Sequence, residues 1–449
     1  MSVGRKGIKR ISVLLCLALL TGCGSWKSEA DAENDLNEAG LLEEPVLEYE
    51  IPVMLPGILL NQNGYMPSAH KIAIIRGDEL PKEFRILDAQ TKEVVYTGNL
   101  EHQEYDAESG EYISYGDFTA FTEEGTYLLE CDILGYSYSF TITKDYYEKL
   151  MSQGLSLLAG QEAFITEDNV TEICRCISAL LLSYELYGDV YDEAAKGAVP
   201  TMLLQIRAYA DKLLSLQEEK TGEILVGEEI GIEQTVWLAA VLAKFSYTYQ
   251  KFDSVYATVC LQAADRAWKA VQSREDVPQD VLFYASAELY RAAGQREYHT
   301  KVTKLGAELV PDAEEEALVF GALTYTATKR SVDVDLCITL MKVMMEKAEE
   351  IAQETKDGLF LVGGSLQTEN VGDLLWDTVV IASMNYIITN SEYTSVLENY
   401  QSYLAGANET AYCYIYGGEQ EGIGASCVDT ARYILLLSQI MSYEEEITE

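Results

Sequence analysis

The chain has 449 residues, with 73 acidic against 32 basic side chains and a formal charge of −41 at neutral pH. A surface this acidic, without a basic stripe, excludes nucleic acid and anionic lipid headgroups as partners, and it is compatible with neutral polysaccharides and divalent cations. Beyond the first fifty residues the chain is long enough for two domains with full hydrophobic cores.

The N-terminus reads as an export signal. Arg5, Lys6, Lys9 and Arg10 precede an apolar run from Ile11 to Leu20, too short to span a bilayer comfortably. The run ends in Leu20-Thr21-Gly22-Cys23, which resembles the bacterial lipobox. That resemblance implies cleavage before Cys23 and lipidation of its thiol. Residues 1–22 are therefore expected to be a lipoprotein signal, with the mature chain held by acyl chains on the extracellular face of the bacterial membrane. Residues 23–52 follow as a polar linker carrying Glu29, Asp31, Glu33, Asp35, Glu38, Glu43 and Glu44. With no sustained apolar period it reads as a flexible stalk.

From 53 to 143 the pattern is short and alternating. Strands are expected at 71–75, 84–87, 93–96, 126–129 and 136–142, separated by Gly77-Asp78, Thr97-Gly98, Ser109-Gly110 and Glu124-Gly125. These spans suit a small β-sandwich. From 144 to 445 the period changes to that of helices, expected over 146–159, 170–187, 196–217, 232–250, 253–273, 278–293, 296–309, 312–328, 332–353, 373–390, 392–405 and 425–443. Twelve helices without a repeat of fixed length favour a closed toroid of helical hairpins over an open array. Seven of the nine cysteines lie beyond the signal and lipobox, an odd number without zinc spacing, and most are expected to be small buried hydrophobes.

Specific residues carry a resemblance to a known family. In the β region they are Leu60-Asn61-Gln62-Asn63-Gly64-Tyr65, Lys71, Asp117-Phe118, Gly125-Thr126-Tyr127 and Ser139-Phe140-Thr141-Ile142. In the helical region they include Thr235-Val236-Trp237-Leu238-Ala239-Ala240, Leu261 to Trp268, Ala285 to Gly294 and Tyr403-Leu404-Ala405-Gly406-Ala407-Asn408. Together they resemble family 9 glycoside hydrolases with an N-terminal immunoglobulin-like domain. The implied fold is multidomain, an immunoglobulin-like β-sandwich followed by an (α/α)6 barrel.

The same resemblance implies inverting hydrolysis of β-1,4-glucans by an aspartate base and a glutamate acid, with the two carboxyls about 6.5–9.5 Å apart. At the expected base segment, Gln161 to Thr166, Glu162 takes the place of one family aspartate and Ile165 that of the base itself. Glu167 and Asp168 stand close by, but Thr166 to Asn169 also suit the cap and first turn of the next helix. The position of the acid falls near Ala425, with Glu419 and Glu421 as the nearest carboxylates. The family's His-x-Arg segment has no counterpart between Thr410 and Glu421.

Candidate catalytic carboxylates are therefore Glu162, Asp168 and Glu421. Candidate sugar-binding rings are Tyr412, Tyr414 and Tyr416, which share one face if that segment is extended, together with Trp376. Trp376 also suits a core position. Cofactors are expected to be none, with calcium the one open case: Asp333, Asp335 and Asp377 are scattered acids rather than a dense loop. Three readings follow. One is a degenerate family member binding a β-glucan-type polysaccharide or oligosaccharide with little or no hydrolysis. Another is an active hydrolase with relocated carboxylates. The last is a cell-surface scaffold for another protein.

Overall fold

The computed structural model describes residues 55–448 apart from 108, 310, 367–368 and 417–421, and describes 443–448 by backbone alone. Cys23, the signal and the whole linker lie outside the described residues, as do Glu419 and Glu421.

Among the described residues eight strands come first: β1 (Ile58–Leu59), β2 (Ile72–Gly77), β3 (Glu83–Asp88), β4 (Val94–Asp106), β5 (Glu111–Asp117), β6 (Gly125–Cys131), β7 (Gly135–Tyr136) and β8 (Phe140–Ile142). They pair antiparallel in the order β1-β2-β5-β4-β3-β6-β7, with β8 pairing the start of β6 on the same edge as β7. The 13-residue β4 belongs to both halves of the sandwich. Its first half pairs with β3, its second half with β5, and its register with β5 shifts between Glu101 and Glu104. His102 takes a positive φ of 52° within that irregularity, as a bulge that re-aims a strand allows. The core between the layers is aromatic. Phe84 sits so close to Gly98 and Gly116 that a Cβ there would fall 2.4 and 2.9 Å from its ring.

Twelve α-helices follow among the described residues: α1 (Tyr146–Leu158), α2 (Val170–Ala195), α3 (Thr201–Leu216), α4 (Ile232–Tyr249), α5 (Ser254–Val271), α6 (Gln279–Ala293), α7 (Arg296–Glu308), α8 (Glu316–Ala327), α9 (Val334–Asp357), α10 (Val371–Ile387), α11 (Ser391–Leu404) and α12 (Cys427–Thr448). The even-numbered helices are apolar on nearly every face; α8 buries nine consecutive residues from Ala317 to Tyr325. The odd-numbered ones bury one stripe, as α9 does with Leu340, Met344, Ala348, Ile351 and Thr355. An all-apolar helix needs neighbours on every side, so the even helices form the inner ring and the odd ones its outer shell. Within the ring α2 packs on α4 and α12, α4 on α6, α6 on α8, and α10 on α12. This is the (α/α)6 barrel preceded by a β-sandwich.

The sandwich is fastened to the barrel by buried polar contacts. Asn61, 1% exposed, donates to Gln401 Oε1 at 2.8 Å and to the Tyr146 hydroxyl at 3.1 Å. Gln62 donates to the Ala411 carbonyl at 2.6 Å, and Arg76 to the Glu409 carbonyl at 3.0 Å. The Asn-Gln pair of the sequence motif is thus an inter-domain clamp.

Inside the barrel, buried charges are paired. Lys244, 3% exposed, bonds Glu185 and lies 3.3 Å from Glu288 Oε1. Arg291 holds the second oxygen of Glu185, while Thr324 and Tyr247 donate to Glu288 at 2.6 and 2.8 Å. Burial pulls the Lys244 ammonium down, but the two carboxylates more than offset it and hold it cationic. Replacing Lys244 by methionine leaves Glu288 buried without its cation. The expected loss is about 3–5 kcal/mol of unfolding free energy, measured by urea denaturation at neutral pH.

Candidate functional site

The inner helices α2, α8, α10 and α12 begin at one mouth of the barrel, and each carries an acid in its first turn: Glu172, Glu316, Asp373 and Asp429. The positive end of a helix dipole favours carboxylates at these positions. Four such ends brought together make an acidic cleft as a consequence of the fold. Its volume is about 730 Å3, and Glu314, Glu354, Glu369 and Asp377 also line it.

Three cations answer these acids. Arg175, one turn after Glu172, forms a bidentate pair with Glu316 at 2.9 Å (Nε to Oε2) and 2.5 Å (Nη2 to Oε1). Arg432, one turn after Asp429, bonds the same Oε1 from the other side. Its Nη1 donates to the Gly372 carbonyl at 2.7 Å, and its guanidinium lies over Trp376, 5.3 Å from the ring centroid. Burial and the neighbouring Arg175 pull Arg432 down to about 9, still cationic at neutral pH. Lys347 pairs with Glu314 at 2.8 Å.

Two carboxyls in the cleft are shifted upward. Burial raises Asp377 from 3.8 to about 7, with Glu314 and Glu369 adding to the rise and the Tyr400 hydroxyl, 3.1 Å away, and Lys347 opposing it. Burial also raises Asp429, assisted by Asp373 and Glu172 and opposed by Ser426 and Arg175. The site therefore holds one carboxyl that is half-protonated near neutral pH beside others that accept hydrogen bonds.

The sequence candidates fall in different places. Trp376 is in the cleft wall, 5% exposed, its indole N–H donating to the Ala313 carbonyl at 2.9 Å. Glu162 lies in a 3-10 turn (Gln161–Phe164) and accepts from Gln205 at 3.2 Å; Asp168 is exposed in the next such turn (Glu167–Asn169). Neither lines the cleft. Thr166 and Asn169 form the cap, with the Thr166 N–H donating to Asn169 Oδ1 at 2.8 Å, and Ile165 is 1% exposed. Tyr412 and Tyr414 remain a ring pair at 4.7 Å, whereas Tyr416 packs at 5.6 Å on Tyr433. Positive φ at Ala411 and Tyr416 breaks the extended backbone that would have aligned all three rings. Asp333 caps α9 through Leu336 N–H, and among the described residues no group of three or more His, Cys, Asp or Glu converges to hold a metal ion.

Glu316, Asp373, Asp429 and the two arginines were not singled out from the sequence. A signal was present: Glu172-x-x-Arg175 and Asp429-x-x-Arg432 repeat one spacing at the start of two inner helices.

Comparisons with known proteins agree with this fold. Residues 55–135 match the cellulase N-terminal ig-like domain, and residues 222–424 match glycosyl hydrolase family 9. A cellodextrinase of Butyrivibrio fibrisolvens is 22% identical over 81% of this chain and 85% of its own. A metagenome-derived family 9 endoglucanase superposes with a TM-score of 0.73 at 17% identity, covering 86% of this chain and 99% of that one. The structure of AaCel9A with a cellobiose-like isofagomine gives 0.69 at 18%, covering 82% and 85%. With this sandwich, this barrel and these matches, residues 222–424 are similar to glycosyl hydrolase family 9 and residues 55–135 to the cellulase N-terminal ig-like domain.

Proposed function

We propose that the barrel mouth binds an oligosaccharide of the β-1,4-glucan type with little or no hydrolysis. The observation that carries this is Ile165, sealed in the core at the position where the family resemblance expects the catalytic base. A hydrocarbon cannot take a proton from water, and loss of a general base alone costs about 10²–10⁴-fold in rate. Glu316, central in the cleft, is spent on two guanidiniums and is not free to act as a base. The named substrates and ligands of the relatives, cellodextrin and a cellobiose-like molecule, support the glycan class. Carboxylates would accept from sugar hydroxyls, protonated Asp377 would donate, and Trp376 would offer an apolar ring edge.

One observation favours a second reading, hydrolysis by relocated carboxyls. Asp377 and Asp429 line the same cleft, and both are raised toward the range of a general acid. Purified mature protein incubated with cellohexaose separates the two. Binding without turnover predicts no reducing-sugar release and, at a hundredfold excess over Kd, about 2.7 kcal/mol of added stability. Release that disappears in Asp377→Asn or Asp429→Asn would establish the hydrolase instead.

Asp377 also sets a pH dependence. Its folded value lies above its unfolded one, so the folded chain binds more protons between about pH 4 and 7, and stability falls as pH rises through that window. Asp377→Asn is expected to remove this fall, whose slope approaches about 1.4 kcal/mol per pH unit, in urea denaturation at pH 5 and pH 8.

We infer further from the lipobox resemblance that the protein is exported and lipid-anchored. Among the described residues no helix is long and apolar enough to cross a membrane. Cys23→Ala is expected to abolish labelled palmitate incorporation and to move the protein from the membrane pellet to the soluble fraction of cells.

A further inference from the structure

The far end of the same helices holds a second cavity. It lies between α2, α10 and α12 and has a volume of about 260 Å3. Gln439 in α12 is ten residues beyond Asp429, and Asn385 in α10 is twelve beyond Asp373. At 1.5 Å per residue the cavity sits about 15–18 Å along the helices from the cleft, at the opposite mouth.

Its shape comes from an interruption in α2. Tyr187 leaves the helical region with φ −127° and ψ 39°, and its hydroxyl donates to the Ala382 carbonyl of α10 at 2.6 Å. The break leaves the Tyr187 ring edge-on to Tyr386, centroids 6.0 Å apart and planes at 89°. Tyr386 is 55% exposed, a large ring held at the cavity with much of its surface in water. Polar groups from all three helices face the same space: Asp189, Asn385, Gln439 and Ser442.

Gln439 makes this more than a surface dent. Its side chain is 3% exposed, and its amide nitrogen reaches Thr394 Oγ1 only at 3.4 Å. Its amide oxygen, equally buried, has no hydrogen-bond partner. An unpaired buried acceptor costs about 1–3 kcal/mol, which a hydroxyl donor entering the cavity would relieve. Asn385 beside it is committed, its nitrogen to Thr394 at 3.1 Å and its oxygen to the Asn390 N–H at 2.9 Å, and so gives the cavity a fixed wall. The C-terminal end of α10 and Asp189 add negative potential, which favours donors over anions.

From the exposed ring, the unpaired acceptor and the cavity size, we propose that this pocket is a second carbohydrate site, binding one terminal pyranose unit of a neutral sugar. A ring and hydroxyl acceptors are the chemistry of sugar recognition. The volume falls below the roughly 300–1,000 Å3 of drug-sized ligand sites, which selects a single ring over a chain. Binding here does not depend on how the cleft acts.

The test is saturation-transfer difference NMR on the mature protein with methyl β-D-glucopyranoside. Wild type is expected to give signals of which Tyr386→Ala and Gln439→Leu each remove at least half, while Arg432→Gln in the cleft leaves that half in place. Tyr386 is half-exposed, so its truncation leaves folding intact and keeps the test valid if Gln439→Leu does not fold. Signals unchanged in Tyr386→Ala, signals lost only with Arg432→Gln, or no signal from wild type would each overturn the proposal.

Discussion

The molecule is organised by the need to hide helices that are apolar on every side. A helix such as α8, with nine consecutive buried residues, cannot lie on a surface, so six of its kind share a centre and six amphipathic helices cover them. That arrangement brings the starts of α2, α8, α10 and α12 to one mouth. Dipoles select acids there, and acids in close quarters demand cations. Glu172 with Arg175 and Asp429 with Arg432 are the local answer, one turn apart on their own helices, and both arginines converge on Glu316. The electrostatics of the cleft therefore descend from packing.

This origin separates scaffold from chemistry. Packing residues and the Asn61 clamp preserve the family's architecture, and they do so without reference to a reacting water. Around the segment where the resemblance expects the base, the local order is equally good, with a complete cap at Thr166 and Asn169 and a buried Ile165. Cleft, tryptophan and acidic rim are each stabilised by a different interaction, so the scaffold by itself does not fix the chemistry.

Architecture was readable in the chain because periodicity reports burial directly. Details failed where burial and local preference part company. Strand β5 escaped notice because Gly116 and Asp117 are poor strand formers, yet Gly116 is required by the Phe84 ring above it. Helix α2 runs on to Ala195, past the Gly188 that reads as a stop, because Tyr187 supplies the break without ending the hydrogen-bonded run. Tyr412, Tyr414 and Tyr416 alternate in sequence, but positive φ at Ala411 and Tyr416 cannot be seen in a side-chain pattern. The cleft acids were overlooked for a subtler reason: singly, each is an ordinary first-turn residue. Only the ring makes them neighbours.

The joint between α2 and α12 bears on how the barrel is made. Ser183, Tyr191 and Ser438 share a buried hydroxyl cluster at 2.6–3.0 Å across 255 positions of chain between the two serines. The first inner helix thus waits for the last before its apolar flank is covered. Such closure has a high contact order, slow to form and exposed to misassembly until it does. Growth of the chain from its N-terminus leaves a crescent with two sticky edges, and synthesis of the final helix turns that crescent into a ring.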